Sequence, residues 1–416
     1  MKNMKKGIKR VPKLRFPGFD ETWDLIKLGN NSLKIGSGVT PKGGSKVYQN
    51  DGIVFIRSQN VHGDRLLLNN ITFISQEIHE QMKSSEVHPS DILLNITGAS
   101  IGRSCVVPAD FTVGNVNQHV CIIRLKNGRS PNFYQSFLSS SKGQKLVYQR
   151  QAGGGREGLN FQSIRSFKIV VPTLPEQQKI ASFLSAIDQK LQQLNRKKEL
   201  LEQYKKGVLQ KIFSREIRFQ DENGQDYPDW QEKRLGTLAK KITTKNQNST
   251  VTNVLTNSAT QGIVSQQDYF LKDIANQNNL GGYYIVDTDD FVYNPRISSS
   301  APVGPIKRNK LGKGVMSPLY SVLRFDAGSL NYFEYYFETT GWHTYMHSIA
   351  NFGARHDRMN ITNADFLKMP IPYPCKEERN MICLFLENLT TKLDVVKAQL
   401  AQTRTFKKGL LQQLFV

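Results

Sequence analysis

Cysteine is scarce in this 416-residue chain. Cys105, Cys121, Cys375 and Cys383 fall in no CxxC or metal-ligand spacing, which argues against a zinc module or a disulfide-stapled fold and for reduced structural thiols. No apolar run approaches the roughly 18 residues of a membrane span, and the opening MKNMKKGIKRVPKLR is basic without the apolar core of a signal peptide. The expected compartment is the cytoplasm. Catalytic signatures are missing too. Asn294-Pro295-Arg296 comes nearest to the Asn/Asp-Pro-Pro-aromatic loop of an adenine amino-methyltransferase but lacks the second proline and the aromatic. No GxGxxG follows a strand pattern, and Gly153-Gly154-Gly155 has no following Lys-Ser/Thr, so it reads as a flexible loop able to touch a phosphate backbone. His343 and His347 stand four apart with no acidic residue between them, so no metal site is expected. A catalytic role is not expected.

Acidic residues are the other shortage. Lys and Arg total 56 against 35 Asp and Glu, a net charge of +21 that attracts phosphate polymers, with nucleic acid the first expectation. What the chain has in abundance is self-similarity. YKKGVLQKIFS (Tyr204 to Ser214) returns as FKKGLLQQLFV (Phe406 to Val416), and RFPGFDETWDLIKLG is echoed by RFQDENGQDYPDWQEKRLG, with the Trp to Leu-Gly spacing kept. PSDILLN matches TDDFVYN, VCIIRL matches YSVLRF, and GGGREGLNFQSI aligns with FGARHDRMNITN, placing Asn160 opposite Asn360. Lys42 to Asp64 resembles nothing in Thr243 to Asp268. Framework repeats and loops do not, which organises the fold before any local motif does.

Within each half the short apolar runs IVFIR, ITFI, DILLNI, CVVP, VCIIRL and FKIVV, then YYIV, FVYN and YSVLRF, predict strands, with helices near Pro131 to Tyr148 and Leu330 to Ile349. Each half then ends in a heptad seam. Ile180, Leu184, Ile187, Leu191, Leu194, Leu201, Val208 and Ile212 are matched by Ile382, Leu386, Leu389, Leu393, Val396, Leu400, Leu410 and Leu414. Lys205 and Lys407 interrupt the apolar pattern. The expected fold is α+β: two pseudo-symmetric mixed α/β domains, residues 1–172 and 215–373, separated by an antiparallel coiled coil of two long helices, 173–214 and 374–416.

The run PTLPEQQKIASFLSAID (Pro172 to Asp188), the paired WxxxxLG spacings and the stretch from Ser90 to Arg103 resemble the specificity subunit of a type I restriction-modification system. The resemblance covers essentially the whole chain. It implies two target-recognition domains, each followed by a spacer helix, in a subunit that is not an enzyme. Such a subunit reads a two-part sequence in double-stranded DNA with an unspecified gap. It carries two methyltransferase (modification) subunits and restriction/translocase subunits, so S-adenosylmethionine, ATP and Mg belong to partners and this chain binds no cofactor. In the second helix KEERNMICLFLENL stands where PEQQKIASFLSAID stood, with the heptad intact.

Base readout calls for Arg or Lys toward guanine, Asn or Gln toward adenine, and Ser or Thr as adaptable donors on loops. In the first half the candidates are Lys42, Lys46, Arg57, Ser58, Gln59, Asn60, Thr97, Ser100, Arg103, Asn117, Gln118 and His119. In the second they are Lys245, Asn246, Gln247, Asn248, Arg296, Ser298, Ser299 and Ser300, while Arg156 and Arg355 occupy matching Gly-containing loops. The two sets differ, so an asymmetric site is expected. Arg196, Lys197, Lys198, Lys205, Lys206 and Lys211 on the first helix are candidates for phosphate contact or a solvated face. The alternative reading is a coiled-coil scaffold that binds DNA or RNA without sequence preference, for which unlike loops on a repeated framework have no purpose. A stand-alone modification enzyme is disfavoured by the missing donor-binding loop.

Overall fold

The computed structural model describes residues 11–151, 158–269, 277–326, 328, 330–351 and 357–416. They fall into two compact units, one made of residues 1–195 together with 398–416, the other of residues 196–397. Every apolar run read as a strand is one. Each region read as helical holds two short helices, Pro131–Ser139 with Ser141–Gln149 and Leu330–Phe337 with His343–Ile349. Ser140 makes the first break, its side chain accepting from the backbone of Gly143 to start the next helix.

The first unit is built on a four-stranded antiparallel sheet in the order Ser32–Ser37, Val120–Leu125, Ile92–Asn95, Ser104–Val106. Alternate residues of VCIIRL serve opposite faces. Cys121, Ile123 and Leu125 join Phe133, Tyr134 and Phe137 in the main core, whereas Val120 and Ile122 meet Ile56 and Val116 on the other side. Burial on both faces explains why this antiparallel strand reads as a continuous apolar run. A second sheet sets Thr72–Ile74 antiparallel and Gly114–Val116 parallel to Ile53–Ile56.

The second unit repeats the plan with Ala239–Ile242, Ser321–Phe325, Phe291–Tyr293 and Ile306–Arg308 in the same order. Leu323 and Phe325 face Phe333 and Phe337, while Val322 faces Leu255 and Met316. Each unit also closes its ends with a two-stranded ribbon, Asp24–Lys27 with Lys168–Val171 and Gln231–Arg234 with Pro370–Tyr373. One framework ion pair is duplicated atom for atom. Arg124 grips Asp91 through Nε and Nη2 at 2.8 Å each, and Arg324 grips Asp290 at 2.7 and 2.8 Å. Asp91 and Asp290 are buried, so each bidentate pair fixes the start of the central strand it precedes.

Two long helices, Leu174–Phe213 and Lys376–Gln413, carry the heptads. In the first unit Ile180, Leu184 and Ile187 share a core with Leu410, Leu414 and Phe415. Asp188 pairs with Lys407 and Asn195 with Arg404, so the helices run antiparallel there. In the second unit Leu209 and Ile212 share a core with Ile382, Leu386 and Leu389. Leu194, Leu393, Val396 and Leu400 are also buried, while Leu191, Leu201 and Val208 are half-buried. Leu209 is an inward residue that the strict heptad omits. The repeated tails therefore each close a core: Phe415 meets Phe133 and Phe137 in the first unit, and Phe213 meets Tyr332, Tyr336 and Trp230 in the second.

Candidate nucleic-acid interface

Loops that diverge between the halves emerge from strand ends that do not. At the end of the central strand of each unit stands an asparagine, Asn95 or Asn294. Its Nδ2 donates to a backbone carbonyl of the diverging region, that of Ser58 just after the strand Ile53–Ile56 at 2.8 Å, and that of Asn257 within the strand Leu255–Ser258 at 3.0 Å. A constant side chain thus holds a variable loop by its backbone, and the loop's side chains are left to change.

In the first unit Lys42, Lys46, Gln59 and Arg103 are exposed, and Ser58 and Ser100 are half-buried. Arg57 lies with its guanidinium 5.7 Å from the centre of the Tyr48 ring, a cation–π contact that fixes its direction. A polar chain links three loops. Thr40 Oγ1 donates to Gln118 Oε1 at 2.6 Å, Gln118 Nε2 lies 3.1 Å from His119 Nε2, and His119 Nδ1 lies 2.6 Å from Thr97 Oγ1. A neutral His119 ring with its proton on Nδ1 satisfies both of its contacts. Sequence reasoning brought Thr97, Gln118 and His119 to the site and missed Thr40, which no local motif marks.

Three expected readers are corrected by their burial. Asn60 is 2% exposed, and its side chain accepts from the Arg57 backbone and donates to the Leu67 carbonyl. Asn117 accepts from the His119 backbone, and Asn246 clasps both backbone groups of Val251. The amides of Asn60 and Asn246 are used at both ends in holding turns, and Asn117 spends its oxygen the same way, the competing use of asparagine in loops. They shape the loops from inside.

In the second unit Lys245, Gln247, Asn248 and Ser299 are exposed. Arg296, Ser298 and Ser300 line a cleft of about 610 Å³ together with Thr256, Asn257, Tyr320 and Arg358, four residues that sequence reasoning passed over. Asp357 lies 3.6 Å from Arg296 and 3.8 Å from Arg358, orienting both guanidiniums at the same place. The hairpin Leu255–Ser258 with Gly262–Ser265 supplies Thr256 and Asn257. Its Asn-Ser and Gln-Gly turn chemistry was the available signal. Arg156 and Arg355, with the triple glycine, lie outside the described residues.

The cations of the first long helix are largely spoken for. Arg196 lies 3.5 Å from Glu199, Lys198 3.5 Å from Glu202, and Lys211 3.9 Å from Glu216. Lys205 is turned inward, 3.6 Å from Glu338 and 5.3 Å from the centre of the Tyr335 ring. Lys205 is thus turned away from any phosphate track, while Lys197 and Lys206 are exposed.

Among the described residues no group of three or more His, Cys, Asp or Glu could hold a metal, and no helix is long and apolar enough to cross a membrane. His343 is held below the usual imidazole range by burial and by His347. That fits a packed helix face.

Residues 21–203 match the family of the type I restriction modification DNA specificity domain. That match covers somewhat less than half of the chain, and residues 21–203 are similar to a specificity domain of type I restriction-modification systems. It is 33% identical over 133 residues to the type I restriction enzyme EcoBI specificity subunit of Escherichia coli, covering 31% of this chain and 27% of that protein. Over 201 residues it is 25% identical to the MjaX type I restriction enzyme specificity subunit of Methanocaldococcus jannaschii, covering 48% and 44%. The alignments thus span less than half the length of either relative. Its fold is similar to that of the type I restriction-modification system S subunit from M. genitalium, with a TM-score of 0.55 at 13% identity over 98% of this chain and 99% of that one. The likeness to that S subunit is one of fold, and it extends over both units.

Proposed function

We propose that the chain reads an asymmetric, two-part sequence in double-stranded DNA and docks methyltransferase and restriction subunits without catalysing a reaction itself. The carrying observation is the pairing of a duplicated framework with unlike loops. Asp91 and Arg124 recur as Asp290 and Arg324, and Asn95 recurs as Asn294, whereas the side chains those devices present differ. In this reading residues 1–172 and 215–373 are target-recognition domains, and residues 173–214 and 374–416 are spacer helices, in a protein working in the cytoplasm. The +21 charge supplies the phosphate attraction. S-adenosylmethionine, ATP and Mg would then act on the partner subunits.

The outward faces of the long helices support protein docking rather than DNA contact there. Opposite the seam the second helix presents Leu384, Asn388, Thr391, Val395, Ala398 and Gln402, an uncharged row in a strongly basic chain. Leu384 and Val395 are 55% and 51% exposed. The first helix matches it with Ser182, Ala186, Gln189 and Gln193, then Leu200 and Tyr204 beyond Arg196. Exposed apolar side chains in such a row suit a protein partner.

Exchange of residues of about 20 to 170 for the matching domain of a relative tests this function. In cells carrying the complete system, sequencing of adenine methylation should show one half of the modified sequence changed and the other kept. Modification by the unaltered complex without sequence preference would favour the scaffold reading instead.

A further inference from the structure

Lys205 and Lys407 interrupt the apolar heptad at the same point of the two repeats, yet their surroundings differ. Lys407 is 14% exposed, and its ammonium lies 2.8 Å from Asp64 and 2.7 Å from Asp188. Burial pushes the lysine down, and the two carboxylates more than restore it. Asp188 sits on the first long helix. Asp64 sits in the turn between the short strands Val61–His62 and Arg65–Leu66, at a φ of 62°, a conformation that L side chains rarely adopt. Such a turn persists when its surroundings over-determine it. Here they do, because the other oxygen of Asp64 accepts from Ser139 and Gln135.

The same turn leads directly to the candidate reading segment. Leu67 donates to the Asn60 carbonyl at 2.7 Å, Asn60 returns a bond to Leu67 at 3.0 Å, and its Oδ1 accepts from Arg57 at 2.9 Å. Asp64 thus joins two constructions: the helix pair through Lys407, and the Arg57 to Asn60 loop through its own hairpin. Without the ammonium, the carboxylates of Asp64 and Asp188 repel each other and lose the one cation that bridges them directly. A hollow of about 470 Å³ lined by Arg65, Arg404 and Lys408 gives the turn room to move.

We propose that Lys407 is a positioning residue for base reading by the first unit, acting through Asp64 on the segment from Arg57 to Asn60. The proposal rests on that segment meeting DNA. Lys205 has no such role, since Glu338 and Tyr335 belong to none of the candidate reading loops.

The test uses the complete complex with Lys407→Met, Asp64→Asn and Lys205→Met, scoring methylation of libraries randomised in each half-site. Asp64→Asn keeps an acceptor for Ser139 and Gln135 while removing the charge, so it decides the matter where Lys407→Met fails to fold. Both variants should lower discrimination about tenfold at one or more positions of the half-site read by the first unit. The other half-site should be unchanged, and Lys205→Met should leave both alone. Equal relaxation of the two half-sites, or of neither, overturns the positioning role. A wild-type complex indifferent to sequence overturns the DNA reading itself, a result visible before any variant is made.

Discussion

Arg15 and Glu176 form a bidentate pair, with Nε and Nη2 of the arginine 2.7 and 2.8 Å from the two carboxylate oxygens. Trp23 donates its indole N–H to the same carboxylate at 3.2 Å. Arg218, Trp230 and Glu378 repeat the arrangement in the second unit. Each glutamate lies in the first turn of a long helix, where the helix dipole favours an anion, and each is buried. Arg15→Ala strands that carboxylate and should cost about 3 to 5 kcal/mol. Glu176→Gln should cost less, because the tryptophan keeps an acceptor and the arginine, 14% exposed, can turn to water. Urea titration of the two variants checks the order, and a reversed order would place the pair's importance elsewhere.

Gly207 and Gly409 lie inside the two continuous long helices, where an added Cβ meets nothing within 4 Å. Replacing either with alanine should therefore stabilise the isolated chain by about 1 kcal/mol, the helix penalty of glycine. If a partner subunit approaches these helices closely, assembly weakens as the chain gains stability. Thermal melts and titration with methyltransferase subunits read the two effects separately. Leu384→Asp should leave the melt unchanged and weaken assembly, and normal assembly by that variant would remove the outward face from the docking surface.

Thiol reactivity should report the first unit's integrity. Cys105 and Cys121 are fully buried, and burial raises both thiols, Cys121 up to about 12. A thiolate is the reactive form, so neither should be alkylated by iodoacetamide near pH 8 until the unit opens. Cys383, half-buried in the second unit, is pushed up to about 11, again by burial. Mass spectrometry across a denaturant series follows each site, and rapid native labelling of Cys105 or Cys121 would contradict the packing.

Arg103 is exposed, and its own carbonyl is anchored by the backbone N–H of Asn95 at 2.8 Å. Arg103→Ala should cost about 1 to 3 kcal/mol of discrimination at one base position. For the unaltered complex, log-log affinity should fall with salt by several units. A uniform loss across all sequences would reassign Arg103 to the phosphate backbone.

The repeated framework was legible because its chemistry is periodic: VCIIRL and YSVLRF carry alternation, and the heptads carry a 3.5-residue rhythm. Even so, Leu209 lies inward beside the expected Val208. At the loops the limit is physical. An asparagine such as Asn60 offers the same donors and acceptors to an adenine as to its own turn, and only the fold decides which it meets. The partners of Lys407 were illegible for a related reason, since Asp64 is 343 residues away in sequence. The intervening contacts that bring them together follow no local pattern.

The first unit takes its closing residues, among them Leu410, Leu414 and Phe415, from the far end of the chain, while the second is drawn from one continuous stretch. Order of synthesis is therefore the reverse of order of completion. On a ribosome adding about 5 to 20 residues per second, the domain made first waits roughly 10 to 40 s for its last aromatic to emerge. During that wait Phe133, Phe137 and Leu184 have nothing to cover them on that side. A polypeptide of this design that stops after residue 397 but short of its last residues leaves its older half open while the younger one is whole.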